Sequence, residues 1–149
     1  DALWKNHCLR RWKNDKQSIR RMLRQNRHRN LSWKQWYAWA EYDQTRTVIT
    51  REEICDYSWR LIYNGTASRL GLRKFLPDGL YHSPYAGPCE WTLFQNRLCF
   101  MGMQLPIERN RETWGWIIGK GTATVYHSVE DEQEAIEELI ETVEQTTNF

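Results

Sequence analysis

The chain has 149 residues, 40% hydrophobic and 27% charged, a globular composition that argues against a disordered segment and suits one domain or a compact domain with an appended element. Its formal net charge of +2 conceals a strong segregation, because residues 1–31 carry +8, residues 32–75 carry +2 and residues 76–149 carry −8. No apolar run approaches the ~20 residues of a membrane span, and Asp1-Ala2-Leu3-Trp4-Lys5 lacks a signal-peptide pattern. The expectation is therefore a cytoplasmic protein without a membrane partner, its thiols at Cys8, Cys55, Cys89 and Cys99 unpaired.

From the N-terminus, residues 3–28 contain neither Gly nor Pro and read as one long helix. Leu9, Trp12, Lys16, Ile19, Leu23 and Asn26 recur at alternating spacings of three and four, the rhythm of a helix–helix seam. The cations at 10, 11, 13, 20, 21, 24 and 27 fall outside that stripe. Ser32-Trp33-Lys34-Gln35 is a capping box that opens a second helix, with Trp33, Trp36, Tyr37 and Ala40 on one face. Thr50-Arg51-Glu52-Glu53 repeats the signal and predicts a third helix over 51–63, burying Ile54, Leu61 and Ile62 and ended by Asn64-Gly65. Thr66 then caps a short turn of helix through Leu72, so that the segment resembles a helix-turn-helix in outline.

Leu76-Pro77-Asp78-Gly79, Ser83-Pro84 and Gly87-Pro88 mark a change of architecture, and beyond them the apolar period becomes two. Cys89 to Phe94 and Arg97 to Leu105 form a hairpin about Gln95-Asn96, which sets Trp91 opposite Phe100 and Leu93 opposite Leu98. Residues 113–118 and 122–126 add two strands around Gly119-Lys120-Gly121. Ser128 with Asp131 caps a final helix whose stripe is Ile136, Leu139, Ile140 and Val143, with acids over its start and outer face. The predicted fold is thus α+β. A basic helix (1–31) and a small helical subdomain (32–75) precede a C-terminal antiparallel sheet of three to four strands, packed by the final acidic helix (80–149).

No catalytic signature stands out. Gly119-Lys120-Gly121-Thr122 has the tail of a phosphate loop but leads into a strand, so it reads as a hairpin turn. The four histidines (His7, His28, His82 and His127) and the four cysteines are scattered, which gives no metal or cofactor site. Glu90, Glu108 and Glu112 lack the companion Lys of a metal-dependent nuclease.

The basic stretch carries the functional reading. Arg10, Arg11, Lys13, Arg20, Arg21, Arg24, Arg27 and Arg29 are the expected nucleic-acid contacts, those from Arg10 to Arg27 spread over ~25 Å of helix at ~1.5 Å per residue. Arg outnumbers Lys there, which favours bidentate phosphate contact. Trp12, Trp33 and Trp36 are the expected interaction aromatics. The sequence therefore predicts a non-enzymatic nucleic-acid-binding accessory or regulatory protein, with DNA and RNA both open. The alternative is an adaptor, inhibitor or assembly subunit that docks the basic helix on an acidic protein surface, including the acidic helix of a second copy.

Overall fold

The structure, a computed structural model, describes residues 2–11, 31–68, 71–83 and 87–129. The predicted final helix, and most of the predicted basic helix, lie outside these residues. Two compact units are present.

In the first unit, α1 (Ala2–Arg11) pairs with α2 (Trp33–Asp43). The capping box forms as read: the Gln35 amide donates to Ser32 Oγ (3.2 Å) and the Ser32 amide donates to Gln35 Oε1 (2.9 Å). Trp36 and Ala40 make the small core of this unit, joined by Leu31, Trp39 and Trp114. Asp43 is fully buried at the end of α2, where Arg46 Nη2 meets its Oδ1 at 2.7 Å.

The second unit corrects the predicted fold. It is mostly β, and its sheet has nine antiparallel strands rather than three or four. They are β1 (Ser58–Tyr63), β2 (Thr66–Ala67), β3 (Lys74–Phe75), β4 (Leu80–His82), β5 (Cys89–Phe94), β6 (Arg97–Phe100), β7 (Met103–Arg109), β8 (Trp116–Ile118) and β9 (Thr124–Val129). The order is β2-β1-β9-β8-β7-β6-β5-β4-β3, a half-barrel drawn round until Trp59 and Arg73 exchange a pair of 2.8 Å backbone hydrogen bonds.

The helix expected over 51–63 forms only in its first part. The second capping box is real, with the Glu53 amide donating to Thr50 Oγ1 (3.2 Å), but α3 spans only Arg51–Asp56. Tyr57 turns extended (ψ 150°), and Ser58-Trp59-Arg60-Leu61-Ile62-Tyr63 runs as a strand along the whole of β9. Asn64 and Gly65, at φ 48° and 79°, are a hairpin turn into β2 rather than a helix end. The helix-turn-helix reading falls with that helix. The cause is local ambiguity: Trp59, Leu61 and Tyr63 alternate with Ser58, Arg60 and Ile62, yet Ile54, Leu61 and Ile62 also fit a helical stripe.

The hairpin register was legible. Trp91 faces Phe100 and Leu93 faces Leu98, about a turn at Gln95-Asn96 with φ 49° and 58°. Their shared face fills the half-barrel with rings. Phe75, fully buried, sits 5.1–6.1 Å (centroid to centroid) from Trp59, Tyr81, Trp91, Phe100 and Tyr126. Helix α3 covers one end of this core: Trp59 Nε1 donates to Ile54 O (3.0 Å) and Trp116 Nε1 donates to the buried Glu53 carboxylate (3.1 Å). Arg109, also buried, lies 4.6 Å from the Trp116 ring centre.

Candidate functional site

Helix α1 places Leu3, Trp4, His7 and Arg10 on successive turns of one face. These four line a cleft of about 310 Å³. Leu3 is 77% exposed, and both His7 and Arg10 are exposed. Helix α2 packs against the Trp4 and His7 rings. Tyr37 lies 5.5 Å from Trp4 and 5.0 Å from His7 between ring centres, and Lys34 Nζ stands 5.9 Å from the Trp4 ring centre. Trp4 and His7 meet edge-on at 5.9 Å. Rings and cations therefore alternate over this surface, an arrangement that offers π-faces and positive charge together.

The opposite edge of α1 is packed. Lys5 and Cys8 are buried, with Lys5 Nζ 5.9 Å from the Trp33 ring centre and Cys8 Sγ donating to Trp33 O at 3.6 Å. Burial pushes the Cys8 thiol up to about 11, which keeps it protonated at neutral pH. Leu9, expected to open the seam, is half-buried beside this edge.

Of the predicted site residues, Arg10 lies in the cleft and Arg11 does not. Arg11 Nε is bonded to Glu41 Oε1 at 3.0 Å, and that contact raises the guanidinium pKa. It is a weaker candidate for phosphate, since binding there must displace a carboxylate. Trp33 is half-buried under Lys5, and Trp36 is 3% exposed, so Trp36 serves the core and offers no open ring. Trp12, Lys13, Arg20, Arg21, Arg24, Arg27 and Arg29 lie outside the described residues.

Sequence reasoning missed Trp4, His7, Lys34 and Tyr37. A signal is present in α1, where Leu3, Trp4, His7 and Arg10 fall at i, i+1, i+4 and i+7, but the seam through Leu9 lies on the other edge. The contribution of α2 had no sequence signal, because it depends on how two helices pair.

In the sheet unit, Arg73 and Arg51 are engaged within the fold. Arg73 is buried, with Nη1 donating to Gly71 O (2.7 Å), and Arg51 Nη2 donates to Pro77 O (3.1 Å) while its guanidinium stacks 4.6 Å from the Trp91 centre. Gly119-Lys120-Gly121 is the β8–β9 turn, as read from the sequence. No group of three or more potential metal ligands occurs among the described residues. None of the described helices is long and apolar enough to cross a membrane.

No protein-family model and no curated protein matches this chain. The functional reading thus stands on its residues and their arrangement.

Proposed function

We propose that this protein binds nucleic acid as a non-enzymatic accessory or regulatory factor, with phosphate contacts from its basic N-terminal stretch supplying most of the affinity. The observation that carries the reading is the exposed Arg10 beside the Trp4 and His7 rings, on the helix that opens a stretch of net charge +8. Such a surplus repels itself unless an anion compensates it, and a polyanion does so with a gain from released counterions. Four free thiols suit a reducing compartment, so we place the protein in the cytoplasm.

The test is a titration of the full chain against a generic duplex, a single strand and an RNA hairpin at low ionic strength. Binding is expected to weaken with salt, the logarithm of affinity falling by about 0.9 per duplex phosphate contact and about 0.7 per single-strand contact. Replacing Arg20, Arg21 and Arg24 together by Glu should flatten that slope. If none of the three ligands binds more tightly than ~100 μM, the reading fails, and docking on an acidic protein surface takes its place.

A further inference from the structure

We infer that the cleft along α1 is a stacking site for one unpaired nucleobase, which makes single strands the preferred ligand over duplexes. The inference deepens the nucleic-acid reading and rests on it. A duplex presents phosphates but hides its base faces, so a protein that used charge alone would have no need of open rings beside its cations. Here Leu3, Trp4 and His7 line the cleft, and Tyr37 packs against both rings. The cleft volume of about 310 Å³ lies at the small end of ligand sites, which run from roughly 300 to 1,000 Å³. That suits a single planar heterocycle.

Charge complementarity fixes the kind of heterocycle. Arg10 lines the cleft one turn beyond His7, and Lys34 stands over Trp4 from the other helix. A base held against Trp4 and His7 carries its own phosphates out to either side, where these two cations can meet them. A neutral aromatic ligand would leave both cations without a role. A free anion would leave the rings without one. The fitting ligand joins a π-face to phosphate, as each nucleotide of a single strand does.

The experiment uses the full chain and three probes of similar charge, namely a labelled single-stranded octanucleotide, its duplex, and inorganic polyphosphate as a ligand without bases. The single strand is expected to bind about tenfold more tightly than the duplex, the scale of one base–aromatic stack. Trp4→Leu should remove that preference while polyphosphate binding stays unchanged. Because Trp4 also touches Tyr37, a second variant guards against loss of fold. Leu3→Trp changes a residue 77% exposed and should strengthen single-strand binding alone. An octanucleotide carrying 4-thiouridine should cross-link to residues 3–10 on irradiation.

Equal affinity for strand and duplex, or cross-links confined to other segments, would overturn the stacking site while leaving the broader reading in place. Failure of all the nucleic acids would overturn both.

Discussion

Asn96 offers a test of how one turn residue braces the sheet unit. It stands at φ 58° in the β5–β6 turn, and its side chain makes three hydrogen bonds. Oδ1 accepts from the Ile49 amide (2.9 Å), while Nδ2 donates to Thr47 O and Ile107 O (3.0 Å each). It thereby ties the stretch that leads into α3 to strand β7. Asn96→Gly keeps the positive φ and removes the three bonds, each worth about 1 kcal/mol net. The expected loss is ~3 kcal/mol, a large share of an ordinary stability of 5–15 kcal/mol. Asn96→Ala keeps a β-carbon in the left-handed region without the polar side chain that eases Asn there, so it should lose about 1 kcal/mol more than Gly. Asn96→Asp retains the acceptor for Ile49 but turns an oxygen toward two carbonyls, so it should be no better than Gly. Urea denaturation followed by near-ultraviolet circular dichroism would measure all three, and hydrogen exchange at the Ile49 amide should accelerate in the Gly and Ala variants, which lose its acceptor. Losses below ~1 kcal/mol for both Gly and Ala would refute the bracing role.

Further outcomes follow from particular residues. Gly119 has φ +91° and a β-carbon there would stand 2.8 Å from Thr124 O, so Gly119→Ala should cost about 2–3 kcal/mol in thermal denaturation. His127 is held below its usual pKa by burial and then by Arg60, which faces it across β1 and β9. The unfolded chain therefore takes up the proton first, and stability, full above about pH 6.5, should decline as pH falls toward the depressed folded pKa. His127→Gln should flatten that decline in denaturation curves taken at pH 7.5 and 5.5, and an unchanged slope would reject the assignment. Cys8, with its thiol pushed up to about 11, holds only about one thiolate in a thousand at pH 8. Mass spectrometry after brief native alkylation should find Cys8 unmodified, and rapid labelling there would contradict its burial.

Two kinds of information separate in this chain. Both capping boxes, Ser32 with Gln35 and Thr50 with Glu53, were readable because a cap closes within four residues and needs no distant partner. The β5–β6 register was readable for a related reason: the Gln95-Asn96 turn and an alternating pattern set Trp91 against Phe100 with little help from elsewhere. The tertiary structure decided the rest. Whether Trp59, Leu61 and Ile62 lie on a helix or a strand depends on β9, more than sixty residues away, whose backbone takes up the hydrogen bonds of β1. Strands β3 and β4, two and three residues long, have too few positions to show a period, and exist because Phe75 and Tyr81 pair within a core of rings. The cleft divides the same way. The spacing of Leu3, Trp4, His7 and Arg10 is written in the sequence, but only the pairing of α1 with α2 brings Lys34 and Tyr37 beside it and turns Lys5 and Trp36 inward. Helix periodicity fixes which residues share a face, and packing against a neighbour decides which face meets solvent.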